Sequence, residues 1–114
     1  MNSENSWRVV CLCAAWCRTC DDYRTVFDAV ALEFAGWRFI WIDIEDQSEL
    51  IDDFDVETFP ALLIGQGPTL YFAGPLTPQP ETLVRLLNAL RARAAVAVKD
   101  AQAQALWLRL RQND

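Results

Sequence analysis

Apolar residues occur along this chain either in short continuous runs or at helical spacing. Continuous runs over Trp7–Cys13 and residues 39–44 predict strands that are buried on both faces, as in the interior of a parallel sheet. Between them, residues 18–34 show a helical pattern that stops before Gly36, a typical helix end. The apolar positions of this predicted helix are Tyr23, Val26, Phe27, Val30, Leu32 and Phe34.

The second half of the chain continues with shorter elements. Residues 48–54 combine acidic and apolar residues at helical spacing and predict one short helical segment. Strands at 61–64 and 70–73 flank Gly65-Gln66-Gly67-Pro68, which is typical of a hairpin. Residues 75–80 carry three prolines and predict a linker. The alternation of strands and helices indicates an α/β fold with a right-handed parallel crossover.

The C-terminal third predicts one long amphipathic helix from about Glu81, because no glycine or proline interrupts residues 81–114. About 30 helical residues would span about 45 Å, whereas a domain of this size is about 30–35 Å across. The second half of the helix must therefore overhang or fold back. The apolar stripe is formed by Leu83, Leu86, Leu87, Leu90, Ala94, Ala97, Val98, Ala101, Ala105 and Leu108.

Length and composition predict a single domain over residues 1–114, with a core at about 7–90 and a helical extension at about 91–114. The 114 residues are 53% hydrophobic, enough for a core without disulfide or metal support. Residues 1–81 contain 14 acidic and four basic residues, which argues against nucleic acid as the main partner. The polar N-terminus lacks a basic segment, and no apolar run is long enough to cross a membrane, so we expect a cytoplasmic protein.

The segment Trp16-Cys17-Arg18-Thr19-Cys20 places two cysteines three residues apart, between a predicted strand and a predicted helix. A cysteine at a helix N-terminus lies among unpaired N–H groups and the positive end of the helix dipole, and both favour the thiolate. Cys17 is therefore the candidate nucleophile, and Cys20 is the candidate resolving thiol that attacks the mixed disulfide. The chain contains no histidine, which excludes histidine-based catalysis and the commonest zinc ligand.

Several motifs together resemble the thioredoxin superfamily over about residues 7–90. They are Trp16-Cys17-x-x-Cys20, Trp41-Ile42-Asp43-Ile44-Glu45, Thr58-Phe59-Pro60-Ala61-Leu62-Leu63-Ile64 and Gly74. The resemblance implies a thioredoxin-like fold with a four-stranded mixed sheet flanked by helices. It also implies that Pro60 is a cis-proline beside the dithiol. Full thioredoxins carry a further N-terminal strand and helix, and only six residues precede Trp7 here, so this chain is expected to lack that pair.

Five further residues complete the predicted site. The resemblance assigns substrate docking to Trp16, Phe59 and Pro60, although Trp16 could equally serve in core packing. Arg18 stands where the family's reductases usually have glycine, and its cation should lower the pKa of Cys17. Asp21 acts in the opposite direction, although its main role is expected to be structural, at the helix N-terminus.

The chain departs from the family at two positions. Typical thioredoxins have a buried aspartate six residues before the first cysteine, assigned as proton acceptor for the resolving thiol, and Cys11 stands there. The family's lysine on the next strand aligns with Trp41. A neutral thiol is a poorer proton acceptor than a carboxylate. The sequence therefore predicts inefficient general thioredoxin turnover.

Cys11 and Cys13 are two residues apart on the first predicted strand and share one face of the sheet. Small core residues are the main interpretation. A four-cysteine zinc or iron–sulfur site with Cys17 and Cys20 is the minor alternative. Same-face neighbours on one strand lie about 6.5–7 Å apart, too far to form a disulfide readily.

These observations predict a thiol–disulfide oxidoreductase, most simply a protein disulfide reductase, that acts through Cys17 and Cys20 without a cofactor or metal. The expected partners are a protein or small-molecule disulfide and an electron donor, but neither nucleic acid nor membrane. From about Lys99 onward the chain should pack on the sheet edge vacated by the missing strand or on a second copy in a homodimer. The alternatives are a thioredoxin-fold interaction or redox-sensing module and, third, a cysteine-ligated metal protein.

Overall fold

The computed structural model describes residues 7–13, 18–43, 61–75, 79–92 and 97–112. The predicted helical segment at 48–54 lies outside these ranges. In chain order the elements are β1 (Trp7–Cys13), α1 (Arg18–Glu33), β2 (Arg38–Asp43), β3 (Ala61–Gln66), β4 (Thr69–Pro75), α2 (Pro80–Ala92) and α3 (Ala101–Gln112).

The four strands form one mixed sheet in the order β2-β1-β3-β4. β1 runs parallel to β2, whereas β3 runs antiparallel to both β1 and β4. The parallel strands β1 and β2 require a crossover connection, which α1 provides. The antiparallel strands β3 and β4 need only the turn at Gly67-Pro68. The predicted four-stranded mixed sheet flanked by helices is confirmed.

β1 is an interior strand that is buried on both faces, and its alternating side chains divide the core in two. Cys11 and its same-face neighbours pack with residues of α1 and α2. Val10 and Leu12 face the opposite side and pack with residues of α3. The continuous apolar run that predicted this strand is therefore explained by a helical layer on each side.

α1 buries one stripe, formed by Cys20, Tyr23, Phe27 and Val30 at steps of three and four residues. The helix ends as predicted near Gly36, whose φ of 100° lies in the left-handed region that favours glycine. The prediction that Leu32 belongs to the apolar face is wrong, since its side chain is 85% exposed. Leu32 follows Val30 by two residues, about 200° around the helix, which points it to solvent.

The predicted single C-terminal helix is wrong, because the structure contains two helices with a non-helical stretch at residues 97–100 between them. Asp100 begins the second helix as an N-cap. Its Oδ1 accepts hydrogen bonds from the amides of Gln102 at 2.9 Å and Ala103 at 3.4 Å. A capping side chain therefore starts α3 where no glycine or proline marks a break.

α3 lies on the sheet face opposite α1, and its buried side is not the predicted stripe. Leu108, a predicted stripe residue, is 43% exposed, whereas Leu106 and Trp107 are fully buried. The indole Nε1 of Trp107 donates a hydrogen bond to the carbonyl of Gly67 at 3.0 Å. The indole ring also covers Gly65, where an added Cβ would lie only 2.7 Å from Trp107 Cζ2.

Polar contacts fix α3 and the residues before it to β4. Gln104 accepts a hydrogen bond from the amide of Leu70 at 3.1 Å and donates one to the carbonyl of the same residue at 3.1 Å. It also donates to the carbonyl of Val98 at 2.8 Å, and the amide of Val98 donates to the carbonyl of Leu70 at 2.9 Å. These bonds give the backbone amide and carbonyl of Leu70 in β4 hydrogen-bond partners in the C-terminal segment.

The C-terminal residues therefore pack on the chain's own sheet, but on its face and not on the predicted vacated edge. Leu106, Trp107 and Leu110 are buried within one chain. No helix in the described ranges is both long and apolar enough to cross a membrane.

Replacing Trp107 by alanine tests the importance of α3. We expect Trp107→Ala to lower the free energy of unfolding by about 3–5 kcal/mol, because it removes a fully buried indole and leaves a cavity against Gly65. Chemical denaturation measures the change. Leu108→Ala on the same helix is the control and should cost much less, since this side chain is 43% exposed. Equal losses for the two variants would show that α3 does not pack on the sheet.

Candidate active site

The junction between β1 and α1 carries the predicted dithiol. β1 ends at Cys13, α1 begins at Arg18, and Cys20 is the third residue of that helix. The first amides of a helix have no partner within the helix, and the positive end of the dipole lies there. The Cys20 side chain is only 1% exposed and packs in the core below α1. Cys20 is therefore protected from solvent at the anion-stabilising end of the helix.

The residues around Cys20 present a polar outer surface. Arg18 and Thr19, the pair between the two cysteines, are exposed, and so are Asp21 and Asp22. An acid in the first turn complements the helix dipole, which agrees with the structural role predicted for Asp21.

Four predicted site residues, Trp16, Cys17, Phe59 and Pro60, lie outside the described residues. The nucleophile, the docking surface and the cis-proline therefore stay predictions from the sequence. Among the predicted site residues, the structure places Cys20, Arg18 and Asp21.

A buried cluster of three thiols and one phenol lies beneath α1. Cys11, Cys13, Cys20 and Tyr23 pack in the same hydrophobic core. The sulfurs of Cys11 and Cys13 are 3.5 Å apart, a hydrogen-bond distance in which either can donate. A disulfide bond would require about 2.05 Å. The two side chains thus lean toward each other along β1, although their Cα atoms have the spacing of a strand.

Tyr23 brings an unexpected polar group into this cluster. Its side chain is fully buried, and its hydroxyl has no hydrogen-bond partner among the described residues. Burial raises the pKa of the Tyr23 phenol, and negative charge on Cys11 and Cys13 raises it further. The phenol is therefore a proton donor at neutral pH and not a base. In the sequence Tyr23 appears only as an apolar helix position, and its step of three residues from Cys20 is the signal that could have indicated a shared site.

The two positions that depart from the family are adjacent in space. Cys11 and Trp41 are register partners on neighbouring strands, and the guanidinium of Arg24 lies 4.8 Å from the centroid of the Trp41 ring. No buried residue in the described ranges is charged. At these two positions the site contains a thiol and an indole where the family resemblance implied a carboxylate and an ammonium group.

No group of three or more histidine, cysteine, aspartate or glutamate residues within the described ranges could hold a metal ion. The alternative four-cysteine site also requires Cys17, which lies outside those ranges.

Comparison with known proteins identifies the family. The family model for thioredoxin matches residues 1–78, a segment that contains every residue of the predicted site. The chain belongs to the thioredoxin family, which confirms the resemblance noted in its motifs. A curated thioredoxin of Mycoplasmoides gallisepticum (strain R(low / passage 15 / clone 2)) is 27% identical over 64 residues, covering 56% of this chain. The matched region spans only 64% of the length of that relative.

Solved structures support the fold. The thioredoxin of Trypanosoma brucei brucei superimposes with a TM-score of 0.70 at 22% identity, covering 80% of each chain. Thioredoxin NaTrxh of Nicotiana alata gives a TM-score of 0.67 at 21% identity, covering 76% of each chain. A structure of ferredoxin:thioredoxin reductase in complex with thioredoxin f2 gives 0.67 at 15% identity, covering 76% of this chain and 79% of that chain.

The buried phenol predicts a loss of stability at alkaline pH. An unfolded tyrosine ionises near pH 10, and the raised pKa of Tyr23 disfavours ionisation in the folded protein. The protein should therefore lose stability as pH rises above about 10, and Tyr23→Phe should reduce that loss. Denaturation of the reduced protein between about pH 9 and 12 measures the difference. Tyr71→Phe, at a half-buried position, is the control, and equal pH profiles for wild type and Tyr23→Phe would contradict the assignment.

Proposed function

We propose that this protein is a thiol–disulfide oxidoreductase that reduces protein or small-molecule disulfides through Cys17 and Cys20. The observation that carries the proposal is the position of Cys20, which is nearly inaccessible to solvent in the first turn of α1, directly after the interior strand β1. Membership of the thioredoxin family supports the same general activity.

The proposed reaction follows from the different roles of the two cysteines. The thiolate of Cys17 attacks the substrate disulfide and forms a mixed disulfide, releasing one substrate thiol. Cys20, which is too buried to meet a protein substrate directly, then attacks the Cys17 sulfur and releases the second thiol. The protein is left with a Cys17–Cys20 disulfide, which an electron donor must reduce before the next cycle.

Cys20 must lose a proton before it attacks, and the residues around it determine which group can accept that proton. The cluster beneath α1 offers Cys11, Cys13 and a protonated phenol, but no carboxylate among the described residues. Within the described part of the chain, this leaves water as the proton acceptor for the Cys20 thiol. Resolution of the mixed disulfide is therefore the slow step that we expect at neutral pH.

The partners and location follow from this direction of the reaction. A disulfide reductase fits a compartment in which thiols are kept reduced, so we propose that the protein acts in the cytoplasm. The thioredoxin f2 neighbour was solved with a reductase, and a protein reductase is the class of electron donor proposed here. The acidic balance of residues 1–81 supports protein and not nucleic acid as the substrate.

A redox-sensing interaction module is the second candidate. The observation that favours it is the thiol at position 11 in place of the expected carboxylate. A dithiol with slow resolution would hold a target as a mixed disulfide and report its redox state without rapid turnover. A turnover measurement with insulin as the substrate separates the two candidates.

Cys20→Ser tests the roles of the two cysteines. With no resolving thiol, a mixed disulfide with a chromogenic aromatic disulfide should accumulate on Cys17, because its release requires Cys20. Mass spectrometry of peptides locates the adduct. Cys17→Ser is the control and should form almost no adduct in the folded state. An adduct found mainly on Cys11 or Cys13 would show that Cys17 is not the nucleophile.

Cys11→Asp tests the missing proton acceptor. A carboxylate at this position should raise insulin-reduction turnover several-fold at neutral pH, because it can accept the proton of Cys20. Burying the carboxylate should lower the free energy of unfolding by at least about 1–3 kcal/mol. Cys11→Asn has a similar shape without the charge and should not raise turnover. If a folded Cys11→Asp variant turns over no faster than wild type, position 11 does not limit the reaction.

A further inference from the structure

Cys11 and Cys13 form a buried thiol pair that the proposed reaction does not use. Their sulfurs are 3.5 Å apart, and their side chains are 0% and 2% exposed. An external disulfide therefore cannot approach either sulfur while the protein is folded. Cys20, whose sulfur belongs to the proposed redox couple, packs in the same core cluster. Within the described residues, Cys20 and the buried pair therefore belong to one packed cluster.

A bond between these two sulfurs would be strained. Residues two apart on a strand have Cα atoms about 6.5–7 Å apart, at or just beyond the upper limit of about 6.8 Å that disulfides span. Forming the bond requires the sulfurs to approach by about 1.5 Å, from 3.5 Å to about 2.05 Å. A strained disulfide is a stronger oxidant than a relaxed one. The buried pair should therefore be the last of the four thiols to be oxidised.

We infer that Cys11 and Cys13 are a second, internal dithiol couple, which reduces the Cys17–Cys20 disulfide when oxidised substrate is in excess. This inference rests on the proposed function, since it requires that disulfide as the internal oxidant. The protein would then carry four reducing equivalents in place of two, and one molecule could reduce two substrate disulfides before it needs an electron donor.

The transfer takes two exchange steps. The thiolate of Cys13 attacks Cys20, forming a Cys13–Cys20 bond and breaking the Cys17–Cys20 bond, and Cys17 leaves as a thiolate that takes up a proton. The thiolate of Cys11 then attacks Cys13, forming the Cys11–Cys13 bond, and Cys20 leaves and takes up a proton. Two electrons and two protons thus pass from the buried pair to the Cys17–Cys20 pair. A further substrate disulfide, as external oxidant, draws the equilibrium forward.

Tyr23 has a positioning role in this transfer. A thiolate in a core without buried charged residues needs a hydrogen-bond donor. The hydroxyl of Tyr23 has no partner among the described residues, and it interacts electrostatically with both Cys11 and Cys13. A small shift that brings the phenol within hydrogen-bond distance would let it donate to the sulfur that carries the charge. This hydrogen bond would stabilise the Cys11 or Cys13 thiolate while the exchange takes place.

The chain offers a direct assay for the four thiols. Trypsin cleavage after Arg8, Arg18 and Arg24 leaves Cys11, Cys13 and Cys17 on one peptide, residues 9–18, and Cys20 on another, residues 19–24. The reduced full-length protein is titrated with oxidised glutathione, quenched with acid, alkylated and digested. Limited oxidant should give the two peptides cross-linked, with alkyl groups on Cys11 and Cys13. Excess oxidant should give the same cross-linked peptides with an internal Cys11–Cys13 bond and no alkyl groups, because the Cys17–Cys20 disulfide forms again after the transfer.

Variants identify the intermediate. Cys11→Ala should stop the transfer after its first step, so that Cys13 is cross-linked to Cys20 and Cys17 is alkylated. Cys20→Ser should leave Cys11 and Cys13 alkylated at every oxidant concentration. Tyr23→Phe should slow formation of the Cys11–Cys13 bond without slowing formation of the Cys17–Cys20 bond, which a purely structural role would not do. Alkylation in denaturant confirms that all thiols are intact at the start.

The outcomes separate the two proposals. If Cys17–Cys20 forms but Cys11 and Cys13 remain alkylated under excess oxidant, the internal couple is wrong and the proposed function stands. Oxidation of Cys11 and Cys13 at the wild-type rate in Cys20→Ser would also overturn the internal route. If no cross-link between the two peptides forms under any condition, both proposals fail.

Discussion

The structure depends on one constraint, which is that a sheet with two apolar faces must be covered on both sides. β1 is buried on each face, so the chain needs a helical layer against Cys11 and Cys13 and another against Val10 and Leu12. α1 and α2 supply the first layer. α3 supplies the second, fixed by the indole of Trp107 over Gly65. A C-terminal helix thus covers one face of the sheet.

The same constraint determines the chemistry available near the dithiol. Because side chains alternate along β1, the positions that face α1 include Cys11 and Cys13, and Cys20 joins them from the first turn of the helix. This core contains no buried charge among the described residues. Among the described residues, proton movement near Cys20 therefore uses sulfur, a phenol or water. The apolar core that covers the sheet thus also explains why we expect resolution of the mixed disulfide to be slow.

Local patterns predicted most of the elements, and packing explains the misses. The continuous run of β1 and the stop at Gly36 are local signals, and both were read correctly from the sequence. The break before α3 was missed because an N-cap at Asp100 makes it, without glycine or proline. The buried face of α3 contains Leu106 and Trp107, whereas Leu108 of the predicted apolar stripe is exposed. Helical spacing placed Tyr23 on the apolar face, but only the folded core shows that it packs in one cluster with Cys11, Cys13 and Cys20.

The reduction potential of the Cys17–Cys20 pair tests the central claim most directly. Equilibrium titration against glutathione buffers, with the redox state read from alkylated peptides, gives the value without requiring a physiological substrate. The account predicts a reversible two-electron couple between about −270 and −120 mV, the range of disulfide oxidoreductases. A couple below about −300 mV, typical of structural disulfides, or the absence of a reversible couple between these cysteines, would contradict it.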